Sequence, residues 1–234
     1  MEYAEIFGHR GDAYHGAMQK SPNARRNEFE ELFRYRPVRR GETVLDVPAG
    51  GGYLARMVPD ASVTMLEFSG GFSSSVPVVE TYGEWDVGTF DRCVCLASMH
   101  HIEDQERFAG QLVRHTRPGG TIHIADVDRS SPLGRYLDGF VGRYNVTGHE
   151  GRYLTADSFR SVPGTRLLAS EIRSCPWTFA GEDELLDFCN DLFGLIDCPR
   201  DELRSELAAL VGLSRDGASY VVDWRLRYID LEVA

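Results

Sequence analysis

Between residues 43 and 127 the sequence alternates short apolar runs with glycine-rich turns, and this alternation restricts the fold more than any other feature. Each run has the length and composition of a buried strand. The five runs are TVLDVPA (43–49), SVTMLEF (62–68), VPVVET (76–81), FDRCVCLASM (90–99) and TIHIADV (121–127). Strands that alternate with short helices predict βαβ units, and therefore an α/β fold with a parallel sheet and helices on both faces.

The segments on either side complete a single predicted domain of residues 1–234. Residues 1–40 have helical patterning, with Ser21 as the cap and Pro22 as the first residue of a helix, and predict a helical lid. Residues 128–165 are rich in glycine, arginine and tyrosine and break the alternation, so they predict a cap insertion after strand five. The remaining pattern predicts a strand at 166–179, helices around 182–195 and 200–212, and a last strand at 219–233.

Composition argues against several classes of function. The chain carries a formal net charge of −11 and has a pI near 5.1, which argues against nucleic acid or an anionic membrane as partner. Because no apolar run could span a bilayer and the N-terminus lacks a signal-peptide core, we expect a cytoplasmic protein. The 5 cysteines have no CxxC spacing and predict buried free thiols, with no metal site. A closed homodimer is the default expectation.

The turn after the first apolar run contains the residues most informative about a ligand. Gly50, Gly51 and Gly52 lack Cβ atoms, so a ligand can approach their backbone at the start of a helix. Asp46 ends the strand before the turn, and Glu67 ends the strand after it. An open α/β sheet places a carboxylate at that second position to accept the ribose hydroxyls of a nucleoside. Turn and acids together predict a nucleoside cofactor at the carboxyl end of the sheet.

A nicotinamide dinucleotide is one alternative, because Gly50, Gly52 and Ala55 fit a degenerate GxGxxA pattern. Asp46 favours a different ligand, since it could bind an ammonium group that NAD lacks. A helical segment also precedes the first strand, and the sequence has no Tyr-xxx-Lys pair for hydride chemistry. An NAD-dependent oxidoreductase therefore stays an alternative hypothesis.

Three segments in order resemble motifs of the class I (Rossmann-like) S-adenosylmethionine-dependent methyltransferases. They are VLDVPAGGGYLA, FDRCVCLASMHHIED and RHTRPGGTIHIADV. The resemblance implies a Rossmann-like seven-stranded methyltransferase sheet, an antiparallel last strand and S-adenosyl-L-methionine as cofactor. It implies that Asp46 and the backbone at 48–52 hold the methionine moiety, that Glu67 holds the ribose and that Phe68 lies against the adenine. The implied cofactor contacts in these motifs are Asp46, Pro48, Ala49, Gly50, Gly52, Glu67, Phe68 and Ala97.

The chain departs from the family pattern in three places. Pro48 stands where the family has its first glycine, and it offers a carbonyl but no N–H. Only the short stretch SGGFSSS replaces the helix that usually follows the ribose-binding acid. The family's Gly-Asp pair after strand three is Gly83-Glu84 here, followed by Trp85. This implies Glu84 as the partner of the adenine amino group, and Trp85 as either a stacking residue or a core aromatic.

Methyl transfer needs an aligned nucleophile, and a general base helps where the acceptor is a hydroxyl. His100 and His101 directly follow the fourth predicted strand, and Asp126 ends the fifth, at the sheet edge where the cofactor is expected. One of the two histidines is the predicted base. Asp126 would either pair with that histidine or orient the methyl acceptor. The competing interpretation is that the histidines only form hydrogen bonds within the loop. The candidates for substrate contacts in the lid and cap are Tyr14, His15, Arg143, Tyr144 and His149.

The sequence therefore predicts a methyltransferase that uses S-adenosylmethionine to modify a small molecule at oxygen or nitrogen, in a setting such as specialised metabolism. One alternative keeps the fold and cofactor but changes the reaction to cyclisation, decarboxylation or hydroxylation. The oxidoreductase is a second alternative. A third, a non-catalytic partner subunit, is disfavoured by the intact glycine turn and by Glu67.

Overall fold

A computed structural model describes residues 3–81 and 83–234, and its centre is a six-stranded sheet. The strands in chain order are β1 (Thr43–Asp46), β2 (Ser62–Met65), β3 (Phe90–Leu96), β4 (Thr116–Asp126), β5 (Thr165–Ser174), β6 (Trp177–Phe179), β7 (Leu213–Asp216), β8 (Ser219–Val222) and β9 (Arg225–Val233). The main sheet has the order β2-β1-β3-β4-β9-β5. Strands β1 to β4 are parallel, whereas β9 runs antiparallel to both of its neighbours, as predicted for the last strand.

Helices cover the sheet and its carboxyl edge. The α-helices are α1 (Tyr3–Lys20), α2 (Arg26–Leu32), α3 (Gln105–Arg114), α4 (Leu133–Arg135), α5 (Gly142–Tyr144), α6 (Glu182–Phe193) and α7 (Arg200–Glu206). Short 3-10 turns occupy Leu54–Arg56 and Met99–His101, and π-helical segments occupy Tyr136–Val141 and Leu207–Val211. No helix in the described part of the chain is long and apolar enough to cross a membrane.

Side chains of the central strands alternate between two apolar clusters, one on each face of the sheet. In β3, Val94 faces one cluster, whereas Cys93 and Cys95 face the other. Both thiols are buried and free, as the sequence predicts. The parallel strands thus read as continuous apolar runs because both of their faces are covered.

The sheet has six strands and not the predicted seven, because the run at 76–81 does not form a strand. It contributes only an isolated parallel bridge between Glu67 and Val78. Around this bridge, the Glu67 N–H donates to the Pro77 carbonyl and the Val79 N–H donates to the Glu67 carbonyl. Proline has no N–H with which to extend the ladder, and β2 already ends at Met65.

Both long C-terminal strands of the prediction are interrupted. The predicted strand at 166–179 is β5 followed by β6, with Pro176 between them, and the predicted strand at 219–233 is β8 followed by β9. The detached pieces β6 and β8 pair with each other and with β7 in a separate three-stranded sheet. This small sheet brings Trp177 and Trp224 into a stack with ring centroids 4.1 Å apart.

Three local predictions also need correction. The helix expected after the glycine turn is a single 3-10 turn. Ser21 does not cap α2, which begins only at Arg26; its hydroxyl instead donates to Glu184 Oε1 at 2.6 Å. The Arg-Pro-Gly-Gly sequence at 117–120 predicts a tight turn, but it lies within β4 as an irregularity in the pairing with β3, with Gly119 at a φ of 76°.

Helix α1 lies against the loop after β2 through two glycines. A Cβ atom on Gly11 would come within 2.5 Å of the backbone of Gly71, and one on Gly71 would come within 2.0 Å of the Phe7 carbonyl oxygen. Two main-chain segments therefore meet at a separation that no other residue type allows. This contact holds α1 over the carboxyl edge of the sheet.

We expect Gly11→Ala to lower the free energy of unfolding by about 1–3 kcal/mol, because the added methyl group overpacks the contact with Gly71. Gly8→Ala is the matched control on the same helix, since nothing lies within 4 Å of its would-be Cβ atom. That control should gain about 0.5–1 kcal/mol from helix propensity. Urea unfolding of both variants measures the difference, and an equal gain in both would contradict the close contact.

Candidate active site

The glycine turn forms one wall of a cavity of about 440 Å³ at the carboxyl ends of β1 and β3. Gly50 and Gly52 have φ angles of 56° and 80°, which the turn requires and which favour glycine. The segment after β3 forms the facing wall, and α1 with α2 forms the outer wall. The lining residues are Tyr3, Phe7, Tyr14, Arg25, Phe29, Asp46, Pro48, Ala49, Gly50, Tyr53, Leu54, Phe72, Leu96, Ala97 and Ser98.

Asp46 presents a carboxylate to this cavity while only 5% exposed. Within the described residues no group donates a hydrogen bond to that carboxylate, although its position is deep. Burial, and then the nearby charge of Glu67, raise the pKa of Asp46 well above its usual value. A buried acceptor without a partner calls for a cationic or donor group from a ligand.

Glu67 is 1% exposed and is held at both carboxylate oxygens. The backbone N–H groups of Phe68 and Ser69 donate to Oε1 at 2.8 and 3.0 Å, and the Gly50 N–H donates to Oε2 at 2.5 Å. Burial raises the pKa of Glu67, and these hydrogen bonds oppose the shift. The Tyr3 hydroxyl also donates to Oε2 at 3.2 Å, so α1 supplies the kind of group that a ribose hydroxyl would offer.

The predicted adenine contacts lie in different places. Phe68 is buried and packs against Tyr3, Trp85 and Phe108. Trp85 belongs to the same apolar cluster and stacks on His115 at 5.3 Å, as the core interpretation expected. The Glu84 side chain is 83% exposed and forms an ion pair with Arg114 at 3.1 Å, outside the cavity lining.

Ala97 separates the first cavity from a second one of about 480 Å³ and lines both. Its φ of 52° is a left-handed conformation that alanine rarely adopts, and such outliers cluster at functional sites. The second cavity has an aromatic and aliphatic wall with a group of basic side chains. Its lining residues are Phe7, Arg10, Tyr14, Arg25, Ala97, His100, His101, Val127, Leu137, His149, Trp177, Leu192, Phe193, Trp224 and Leu226.

His100 and Asp126 form a buried dyad at the edge of this second cavity. The His100 Nδ1–H donates to Asp126 Oδ1 at 2.6 Å, and the His100 backbone N–H donates to Asp126 Oδ2 at 2.9 Å. The carboxylate thereby fixes the ring and its tautomer, which leaves Nε2 as a proton acceptor. The structure thus pairs His100, and not His101, with Asp126.

His101 and His149 complete a group of three imidazoles. The His149 Nδ1–H donates to Asp138 Oδ1 at 2.8 Å, and His101 Nε2 lies 3.3 Å from Arg10 Nη2. Burial lowers the pKa of His149 to about 4 and the pKa of His101 well below its usual value, so both rings are neutral near pH 7. One ring nitrogen of each histidine lies within 4.8 Å of the others, a spacing that could hold a metal ion. The adjacent Arg10 guanidinium opposes a cation there.

Of the predicted substrate contacts, the structure brings Tyr14 and His149 to the cavities. His15 lies outside them, above the glycine turn, and is hydrogen-bonded to the Tyr53 hydroxyl at 2.9 Å. Arg143 and Tyr144 bind Glu202 at 2.9 and 2.7 Å, and neither lines a cavity.

Sequence reasoning missed several residues at the cavities, and four of them have polar or aromatic side chains that matter for a ligand. Tyr3 and Arg10 come from α1, Trp177 comes from β6 of the small sheet, and Trp224 comes from the segment between β8 and β9. The signal that could have identified Arg10 is its position, because it is an arginine on the buried side of a helix in the predicted lid. The two tryptophans had no comparable signal, since their meeting depends on strand breaks.

The geometry defines an α/β fold with two adjoining cavities, one beside the glycine turn and one beside the His100–Asp126 dyad. Residues 45–124 match the family model described as a methyltransferase domain. A crystal structure of a methyltransferase from Thermotoga maritima, described as a possible histamine N-methyltransferase, aligns with a TM-score of 0.62 at 14% identity and covers 98% of this chain and 99% of that one. The sequence match thus covers residues 45–124, and the structural alignment shows that the chain has the fold of the solved S-adenosylmethionine-dependent methyltransferases.

Two further comparisons are with named methyltransferases. The mitochondrial ubiquinone biosynthesis O-methyltransferase of Schizosaccharomyces pombe is 27% identical over an alignment of length 127, which covers 46% of this chain and 46% of the relative. The chain thus spans about half the length of this curated relative. Coclaurine N-methyltransferase bound to N-methylheliamine and SAH aligns with a TM-score of 0.56 at 12% identity, covering 87% of this chain and 69% of that one.

Proposed function

We propose that the protein is an S-adenosylmethionine-dependent O-methyltransferase with a small-molecule acceptor. The observation that carries this proposal is the His100–Asp126 dyad, whose base faces a cavity that adjoins the glycine-turn cavity through Ala97. A base at this boundary can meet an acceptor hydroxyl next to a bound methyl donor.

The residues of the first cavity fit the cofactor. The unpartnered Asp46 carboxylate suits the ammonium group of the methionine moiety, and Glu67 at the end of β2 suits the ribose hydroxyls. Gly50 and Gly52 keep the backbone accessible between them. When bound, S-adenosylmethionine supplies an activated methyl group on a sulfonium, so the protein mainly orients the acceptor.

His100 would accept the proton of the acceptor hydroxyl at Nε2. Asp126 holds the opposite nitrogen and stabilises the imidazolium that forms, since its carboxylate lies 2.6 Å from Nδ1. An amine acceptor needs no such base once it is neutral. The buried dyad therefore favours oxygen over nitrogen as the acceptor atom.

A small molecule fits the second cavity better than a macromolecule does. Its walls come from α1, α6 and the small sheet with the segment that follows it, and most of the lining side chains are apolar or aromatic. A concave, mostly apolar wall with a few polar groups is typical of small-molecule sites. Because the chain has a formal net charge of −11, it would also repel a polyanionic acceptor. The O-methyltransferase name of the fission yeast relative supports the same class.

The test is incubation with methyl-labelled S-adenosylmethionine and a panel of phenols, amines and thiols, with product analysis by mass spectrometry. We expect saturable binding of S-adenosylhomocysteine by calorimetry and label transfer to a hydroxyl. Product formed without label would instead favour a non-methylating use of the cofactor. Binding of NADH but of neither sulfur nucleoside would overturn the proposal.

A further inference from the structure

Arg10 is a buried cation for which the described residues provide no counter-charge. Its side chain is almost fully enclosed, yet among the described residues no carboxylate forms an ion pair with it. Its contacts are the Phe193 carbonyl at 3.3 Å, the His101 ring at 3.3 Å and the face of Phe7 at 4.7 Å. Burial lowers the pKa of Arg10 only to about 10, so it stays protonated at neutral pH. An isolated buried charge is costly unless an anion compensates it.

Three residues that line the same cavity each have a buried N–H group for which the described part of the chain supplies no acceptor. They are the Arg10 Nε, the Trp224 Nε1 and the His101 Nδ1. A guanidinium can only donate, so the contact with Arg10 makes His101 Nε2 an acceptor and puts the ring proton on Nδ1. All three unpartnered groups are thus donors. A ligand that satisfies them must offer oxygen acceptors.

The rest of this cavity is apolar and aromatic. Trp177 and Trp224 stack on each other, and Phe193 lies within 6.2 Å of both rings. Arg25, the other arginine here, is already neutralised by a buried ion pair with Glu28 at 2.5 Å. The cavity therefore offers one unpaired positive charge beside a wall suited to a planar ring.

We propose that the acceptor is an aromatic carboxylate, that is, a hydroxylated aromatic acid, and that Arg10 and His101 bind its carboxylate. This inference rests on the proposed function and names the substrate class of the same site. A single guanidinium with one neutral imidazole matches a monoanion. The hydroxyl to be methylated would then face His100, which lines the same cavity.

Two other ligands could occupy the region around Arg10, and the structure disfavours both. The cofactor has a carboxylate of its own, but Arg10 does not line the cavity that contains Asp46. A metal ion on the three histidines would require His101 to give up either its proton or its contact with Arg10, and would place two cationic groups together.

The test is calorimetry with acid and amide pairs, 4-hydroxybenzoate against 4-hydroxybenzamide and 4-hydroxycinnamate against its amide, on protein saturated with S-adenosylhomocysteine. We expect each acid to bind about tenfold or more tightly than its amide, the range of a charge-assisted hydrogen bond. Arg10→Gln should remove this preference without changing the affinity for S-adenosylhomocysteine. Arg10→Lys, which keeps the charge, should restore part of it. His9→Gln, an exposed change on the same helix, is the control and should alter neither affinity.

Several outcomes would overturn the inference. The first is equal binding, or no binding, of acids and amides by the unaltered protein, a comparison that needs no variant to fold. The second is a loss of S-adenosylhomocysteine affinity in Arg10→Gln, which would assign the guanidinium to the cofactor. The third is stoichiometric Zn²⁺ binding that His149→Asn abolishes. If the acid preference persists but no methyl group is transferred to any phenol, the proposed function fails while the carboxylate site stands.

Discussion

Replacing His100 by asparagine is expected to lower kcat by about 10²–10⁴-fold, the usual contribution of a general base. The asparagine amide can still donate to Asp126, so the loop keeps its buried hydrogen bond while the proton acceptor at Nε2 is lost. Affinity for S-adenosylhomocysteine should stay within a few-fold, because His100 does not line the glycine-turn cavity. Single-turnover kinetics with a labelled methyl donor separate the two effects.

His101→Asn is the matched control for this prediction. It removes the neighbouring imidazole, which lines the same cavity but contacts Arg10 and not Asp126. Its effect should fall on the affinity for the acceptor and leave kcat within a few-fold. If both variants lose kcat equally, or if His100→Asn keeps full turnover, the dyad does not serve as the base.

Replacing Glu67 by glutamine is expected to weaken S-adenosylhomocysteine binding by on the order of 100-fold, since two charge-assisted hydrogen bonds to a ribose would be lost or weakened. The same carboxylate accepts hydrogen bonds from the N–H groups of Gly50, Phe68 and Ser69 at its two oxygens. In glutamine one of these oxygens becomes an NH₂ group, which cannot accept such a bond. The glycine turn should therefore loosen as well. Calorimetry measures the affinity, and thermal unfolding reports how far the turn is affected.

Glu84→Gln is the control for the cofactor pocket. Resemblance to the family assigned Glu84 to the adenine amino group, whereas its side chain is exposed and paired with Arg114. We expect this variant to bind S-adenosylhomocysteine as the unaltered protein does. A large loss in Glu84→Gln together with a small one in Glu67→Gln would reverse the assignment of the two acids.

The parts of the site that the sequence predicts well are those fixed by one strand and its following turn. Asp46, Gly50 and Glu67 lie at the ends of β1 and β2, and the parallel register of those strands brings them together. His100 and Asp126 meet for the same reason, because β3 and β4 are neighbouring parallel strands. Short-range pattern plus sheet topology is enough for such contacts.

The acceptor cavity could not be predicted, because its wall depends on packing between segments that are distant in sequence. Arg10 meets the Phe193 carbonyl across 183 positions. Trp177 reaches Trp224 only because the predicted long strands break after β5 and before β9. Arg143 and Tyr144 lie outside both cavities for a related reason, since Glu202 of α7 binds both of their side chains. The number of aromatic and basic residues in a segment does not predict which distant residues they will contact.

The packing of α1 against the loop after β2 has a consequence for the kinetics of ligand exchange. This one helix contributes walls to both cavities, Tyr3 to the first, Arg10 to the second and Phe7 to both, and its backbone touches Gly71 directly. For a ribose to bind Glu67 in the place of the Tyr3 hydroxyl, Tyr3 must first leave this carboxylate. Movement of this single element would then change both cavities together, so we expect α1 to couple exchange of the cofactor to exchange of the acceptor.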